Sequence, residues 1–328
     1  MTVARWLWRH RRQRAWLLAL TGVTAVSLLS SLVVDALVRA AGYEPARYET
    51  ALLGVALLGF QPLLLSVKLG QTAGLLAGML SFAGAAALSS CEDPTVVDDE
   101  DSGIAVRRRA AVLSGALTAL VGLVKLPYAP ASAHLLTDRR RLLGGIAAGL
   151  ALVGLSLAVF GLETNATYLD VLRWGATDGL ERRPPTLWLP PYYRPFYLVD
   201  SAVGRQFALA LRVVLAGGIA ALAVRRGGDD AATFAFGAAA VPLLAPQTYT
   251  YYLVALVPAA LALLPRELRG GGSPSLPVLA VLLAHLHAYG LKLLVSVLSE
   301  SWLLALLQPG LWGNLLLVGV AGWRISAE

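Results

Sequence analysis

Residues 142–162 read LLGGIAAGLALVGLSLAVFGL, with Asp138-Arg139-Arg140-Arg141 before them and Glu163 directly after. The stretch carries no charge and no proline. About 20 apolar residues in an α-helix cross the roughly 30 Å hydrocarbon core of a bilayer. A backbone in lipid must satisfy its own hydrogen bonds, which leaves helix as the form for such a run. The β-barrel alternative requires alternating segments of about 10 residues, and no such alternation occurs. This stretch is expected to be a membrane helix, and it sets the scale for the rest of the chain.

Outward from it, similar blocks recur. Spans are expected at about residues 16–38, 51–67, 72–90, 110–137, 142–162 and 207–224, as a hairpin at 231–244 and 252–264, and at 278–298 and 302–321. The chain is 57% hydrophobic and 14% charged, against about 25% charged in soluble domains. The net charge of +7 sits at the ends of the blocks, where it acts as a topology signal and not as a nucleic-acid surface. Cys91 is the single cysteine, so neither an intramolecular disulfide nor a cysteine metal site is expected. The first apolar block lacks a small-residue cleavage site and reads as a retained anchor.

The expected fold class is therefore all-α: a polytopic integral membrane protein of about ten transmembrane helices. It forms one transmembrane domain over residues 1–328, with both termini cytoplasmic and an extracytoplasmic loop at 163–206. One feature strains this topology. It leaves Arg107-Arg108-Arg109 outside, against the positive-inside rule. A re-entrant break at Lys125–Pro130 would restore the parity.

Several segments carry candidate chemistry. The loop from Glu163 interleaves Pro184, Pro185, Pro190, Pro191 and Pro195 with Trp188, Tyr192, Tyr193, Phe196 and Tyr197. Proline excludes continuous helix, and aromatic rings favour the headgroup region. Arg182, Arg183 and Arg194 lie among them, and guanidinium forks suit phosphate oxygens. The same pattern fits an ordinary aromatic belt touching lipid headgroups. Asn165-Ala166-Thr167 matches the N-glycosylation triplet. Lys125 is an ionisable residue within an apolar run, followed by Pro127 and Pro130. Such a charge costs about 2.5–3.5 kcal/mol at mid-membrane and persists where it pairs, meets water or binds an anion. Lys68 and Lys292 carry a weaker form of the same argument. Gly70-Gln71 interrupts another run with a residue that can bond a sugar hydroxyl. His285 and His287, two apart on a helix, point to different sides and cannot share a metal. No metal site and no cofactor are expected.

Four features occur in order: Gly70-Gln71 opening a span, Ser114-Gly115 leading to Lys125-Leu126-Pro127, the basic turn before Leu142, and Ala245-Pro246-Gln247-Thr248-Tyr249-Thr250-Tyr251-Tyr252. Together they resemble glycosyltransferase family 87, also known as domain of unknown function 2029, over roughly residues 55–264. The resemblance implies a GT-C-like membrane fold and a polyprenyl-phosphomannose-dependent mannosyltransferase. It departs from the family at Ala73, where Asn is common, and at Tyr249 and Tyr251, near the family's Trp and His positions. GT-C enzymes place a catalytic Asp in the first extracytoplasmic loop; this chain looks short there, and Asp35 is the nearest carboxylate.

On that reading, a hexose moves from a polyprenyl-phosphate donor to an acceptor glycan or glycolipid at the outer face. The candidate bases are Asp35, Glu163, Asp170 and Asp200. Gln71, Lys125, Arg182, Arg183, Arg194, Tyr249 and Tyr251 are expected to bind donor or acceptor, and membrane lipids are the other partners. A secondary transporter, and a non-catalytic relative acting as a membrane scaffold, are the competing readings.

Overall fold

A computed structural model describes residues 35–90, 100–176, 193–226, 229–245, 249–269, 271–298 and 303–327. Its helices are α1 (Arg47–Gly59), α2 (Gln61–Lys68), α3 (Ala73–Ser89), α4 (Glu100–Val124), α5 (Arg139–Ala176), α6 (Tyr197–Ala202), α7 (Arg205–Arg226), α8 (Asp230–Leu244), α9 (Leu256–Arg269), α10 (Ser275–Leu298), α11 (Leu303–Leu306) and α12 (Pro309–Ala327). Two 3₁₀ segments, Leu126–Thr137 and Thr250–Ala255, join α4 to the following turn and lead into α9. The described residues are helical, with the apolar helices of a membrane protein. Among the described residues, five helical stretches are long and apolar enough to cross a bilayer, and six if α1 and α2, bent by 53°, count as one. The expected first span, 16–38, lies outside the described residues up to position 34.

Arg141, Arg266, Arg269 and Arg324 gather at one end of the bundle. Arg141 at the start of α5 donates to the Ala87 carbonyl at 3.0 Å and to the Ser90 hydroxyl at 2.9 Å, where α3 ends. The same guanidinium pairs with Asp230 at the start of α8, with Nη2 2.9 Å from Oδ2. Arg266 near the end of α9 pairs with Asp229 at 2.5 Å. Arg324 near the end of α12 grips Glu267 through two bonds of 2.7 and 2.8 Å. Arg269 donates to the Ala41 carbonyl. This is the basic end of the molecule.

Arg141 read in the sequence as a solvated topology charge, yet it is 1% exposed. Burying a guanidinium is tolerated because its donors meet a carboxylate, a carbonyl and two hydroxyls, Thr137 at 3.2 Å among them. Asp138 caps α5 by accepting from the backbone N–H groups of Arg140 and Arg141 at 2.6 and 3.0 Å.

The apolar run 110–137 is not one broken span. Helix α4 ends at Val124, Lys125 adopts an extended backbone (φ −147°, ψ 95°), and the 3₁₀ segment runs back. Its last residue, Thr137, donates to Asp230 at 3.1 Å at the basic end. Pro127 and Pro130 remove two backbone donors, which disfavours an α-helix here. A 3₁₀ run of 12 residues is unusual, since most stop after 3–4. This return places Arg107–Arg109 at the same end as Arg139–Arg141.

Close helix crossings need small residues. A Cβ at Gly115 would collide with the Arg141 backbone, and one at Gly144 with the Val112 backbone, so α4 and α5 touch main chain to main chain. Gly115→Val should therefore cost about 1–3 kcal/mol as overpacking that cannot relax. A thermal unfolding midpoint equal to wild type in detergent would contradict this crossing. Helix α8 is buried almost throughout, with Ala235, Ala238, Ala239 and Ala240 fully enclosed. Its Gly237 lies against Pro130, Ala131 and Ala133 of the 3₁₀ segment. By contrast, in the most apolar window of α5 only 11% is buried inside the protein, as suits a face turned to lipid.

The expected loop 163–206 begins as helix. Gly161, at φ +77°, breaks α5, which then resumes to Ala176. Asn165 bridges the break: its amide donates to Gly161 O at 2.7 Å and Ser156 O at 3.2 Å, and its Oδ1 accepts from Ser156 at 2.7 Å. The triplet that reads as a glycosylation site thus spends its Asn on local structure.

Candidate functional site

Three interruptions of the helical ladder meet at the end opposite the basic one. The first lies between α2 and α3. Gly70 adopts φ +63°, a left-handed turn that glycine makes without strain. Ser66 holds this turn through Oγ to Gln71 O at 3.0 Å, and Gln71 N donates to Ser66 O at 2.8 Å. The second is Lys125, where α4 gives way to the 3₁₀ segment. The third lies between α8 and α9, where Tyr249, Tyr251 and Tyr252 begin the next pass.

Their side chains form one cluster. Lys125 Nζ donates to Gln71 Oε1 at 3.3 Å. It also sits 4.7 Å from the Tyr251 ring centre and 4.9 Å from that of Tyr252. Tyr249 stacks on Tyr251 at 5.1 Å with an interplanar angle of 8°. Tyr128, fully buried, packs on Tyr252 at 6.1 Å and donates to the Ala73 carbonyl at 3.3 Å, tying the 3₁₀ segment to the start of α3. A cation over aromatic faces gains about 0.5–2 kcal/mol, more as water is excluded. Lys125 is half-buried, and no carboxylate pairs with it among the described residues. The cluster is a positive centre with aromatic walls and a neutral hydrogen-bonding amide.

Gln71, Lys125, Tyr249 and Tyr251, four of the sequence candidates, are thus brought together. Tyr252 and Tyr128 join them; Tyr252 stood within a quoted motif and Tyr128 within the Lys125–Pro130 break, but nothing in their spacing said that they would face Lys125. The other candidates are placed elsewhere. Asp35 sits at the basic end, accepting from Arg39 Nε at 2.8 Å and from Thr50 at 3.3 Å. Helix α3 runs from Ala73, beside the cluster, back to the basic end. Its 17 residues therefore put about 25 Å between the two ends. Nearby, Tyr43 donates to Glu49 at 3.1 Å, and that carboxylate holds the phenol above its ordinary pKa.

Glu163 and Asp170 are exposed on the part of α5 beyond Gly161, at the far end from Arg139. The backbone of Asp200 belongs to α6, beside Val199, which packs with Phe196 near Leu243 at the end of α8. Its side chain lies outside the described residues, as do Arg182 and Arg183. The backbone of Arg194 is held by the Gln308 side chain through paired bonds of 2.9 Å each, at the start of α12. Tyr193 and Phe196, expected in an aromatic belt, are packed inside. Tyr193 is fully buried and donates to Asn314 at 2.9 Å. Lys68 and Lys292 are exposed at or near helix ends.

The histidines face apart as their spacing requires. His285 accepts from Gln61 N at 3.2 Å, and His287 from Gly310 N at 3.3 Å beside the Tyr193 ring. No group of three or more metal-capable side chains occurs among the described residues. Arg212 went unread in the sequence, although a charge within the apolar span 207–224 is itself a signal. Its guanidinium lies 4.8 Å from the Phe196 ring centre.

No family model, curated protein or solved structure matches this chain.

Proposed function

We propose that the chain is a membrane glycosyltransferase of the GT-C type, resembling family 87, that moves a hexose from a polyprenyl-phosphate carrier to an acceptor at the outer face. The observation that carries this reading is the meeting of Gln71, Lys125, Tyr249 and Tyr251 at breaks in three separate membrane passes. Broken membrane helices are tolerated where they line a cavity or are enclosed by protein, and a lysine there with no carboxylate partner among the described residues favours an anion. The reading orients the basic end to the cytoplasm. The bundle then comprises passes through α1–α2, α3, α4, the 3₁₀ return, α5, α7, α8, α9, α10 and α12.

In the reaction, a carboxylate removes the proton from the acceptor hydroxyl as general base. That oxygen attacks the anomeric carbon and inverts it. The bond from that carbon to the phosphate oxygen breaks, and its electron pair leaves with the prenyl phosphate. Lys125 stabilises the charge gathering on the phosphate, Gln71 orients it, and the tyrosine faces hold the sugar. Asp35 is too remote to be the base, so the role falls to Glu163, Asp170 or Asp200.

The test is transfer from a prenyl-phosphate hexose by the purified protein. Asp35→Asn is expected to transfer at the wild-type rate. One of Glu163→Gln, Asp170→Asn and Asp200→Asn is expected to lose about 10²–10⁴-fold. Full activity in all three carboxylate variants would leave the reaction without a base and sink the reading. A secondary transporter would instead need matched breaks in two repeated halves; the breaks here converge on one site from unrelated elements.

A further inference from the structure

Helices α1 and α2 meet at Phe60 with a bend of 53°. The bend frees the Gln61 N–H, which stands in the first turn of α2 and has no partner within that helix. His285 of α10 supplies one: its Nδ1 accepts from Gln61 N at 3.2 Å. An imidazole that accepts at Nδ1 is neutral and carries its proton on Nε2. The ring is half-buried, and Nε2–H has no partner among the described residues. Gln61 is 8% exposed, and its Oε1 is enclosed there without a hydrogen bond. The bend thus leaves polar groups that the protein itself does not satisfy.

His285 borders a groove of about 490 Å³ between α1, α9 and α10. The other residues lining it, such as Leu53, Leu261 and Val281, are apolar, and none is charged. Small-molecule sites have volumes of about 300–1,000 Å³ and pair apolar walls with a few placed polar groups. Phe60 also lines the groove, and its ring stacks with His285 at 6.2 Å and 26°. Two flat faces and one free donor therefore stand together at one end of it.

Depth selects the occupant. Helix α10 starts at the basic end, where Ser273 N donates to Glu267 at 2.8 Å. His285 lies ten residues beyond Ser275, a rise of about 15 Å and half of a 30 Å hydrocarbon core. The 8 residues of α2 hold it about 12 Å from the Gln71 end of that helix. A phospholipid keeps its polar atoms at the interface, and its acyl chains bring no acceptor to mid-depth. A charged head would meet no opposite charge in the groove. An isoprenoid quinone is uncharged, enters the hydrocarbon core, and carries carbonyl acceptors on a flat ring.

We infer that the groove between α1, α9 and α10 binds an isoprenoid quinone, with a ring carbonyl accepting from His285 Nε2–H and the ring lying against Phe60. The site stands apart from the Lys125 cluster and takes no part in the proposed sugar transfer.

The experiment measures binding of decylubiquinone, and of decylbenzene as a ring and tail without carbonyls, to the full-length protein in detergent by native mass spectrometry. Wild type should prefer the quinone at least about tenfold. His285→Phe keeps a flat ring and removes the donor, and should bring the two ligands to within about twofold of each other. Ala56→Trp fills the groove without touching the bond from Gln61 to His285, and should weaken quinone binding at least about tenfold. If His285→Phe does not fold, Ala56→Trp decides alone. Leu155→Trp, on the exposed face of α5, is the control for an added indole and should bind as wild type does. Equal binding of the two ligands to wild type overturns the inference, as does quinone binding unchanged in the groove variants. Displacement of the quinone by equimolar dioleoylglycerol, a neutral lipid whose esters also accept, would assign the groove to a glyceride and overturn it too.

Discussion

Lys125→Met is expected to reduce transfer from a prenyl-phosphate donor by about 10²–10³-fold, the usual loss when one preorganised charge-stabilising donor is removed. Methionine keeps the length and apolar body of the side chain, so the Tyr251 and Tyr252 rings retain a neighbour while the charge is gone. Lys125→Arg should recover part of the rate, because a guanidinium supplies charge but fits a site shaped for a compact ammonium poorly. Gln71→Ala should lose less, since a neutral hydrogen bond is worth about 0.5–1.5 kcal/mol. Steady-state transfer assays on variants with unchanged melting behaviour read these differences. Activity retained in Lys125→Met would remove the cation from the mechanism and reduce the tyrosine cluster to packing.

The second large effect is structural and lies at the other end of the bundle. Arg141→Ala removes the guanidinium that joins α3, the end of the 3₁₀ segment, α5 and α8. Breaking a buried pair from one side costs about 3–5 kcal/mol, because the remaining charge has no compensation. Asp230 loses its guanidinium partner while keeping the Thr137 hydroxyl, and the Ala87 carbonyl loses a donor. Arg141→Met with Asp230→Leu should recover most of the loss, since replacing both charges by apolar groups is often neutral. Thermal unfolding in detergent separates these outcomes. A single variant as stable as wild type would mean that the end of the bundle is not held by this pair.

These two sites show what the sequence made legible. Apolar length marked α5, α7 and α10 as membrane helices, and proline, glycine and lysine marked the breaks at Gly70, Lys125 and Tyr249. Each of those signals is local, so each could be read without knowing the neighbours. What could not be read was direction. Hydropathy is the same for a run that crosses once and one that turns at Lys125 and comes back, so 110–137 looked like one span. Read as one span, with the re-entrant break at Lys125–Pro130 as the alternative, the run put Asp35 on the same face as Lys125; the structure puts the two at opposite ends of the bundle. Charge carried a similar ambiguity. Arg139, Arg140 and Arg141 look alike in sequence, yet Arg141 alone turns inward, because Asp230 meets it from a helix far along the chain. Tyr193 is another case. An aromatic residue in a proline-rich stretch suits a lipid interface, but its hydroxyl finds Asn314 and its ring finds His287.

The account stands most directly on where a lipid phosphate binds. The measurement is photo-crosslinking of a prenyl phosphate carrying its reactive group next to the phosphate, followed by peptide mapping of the full-length protein. Labelling should fall on the peptides containing Gln71, Lys125 and Tyr249–Tyr252, and Lys125→Met should abolish it. Labelling concentrated around Asp35, Arg39 and Thr50, or unchanged in Lys125→Met, would contradict the placement of the site at the meeting of the three breaks.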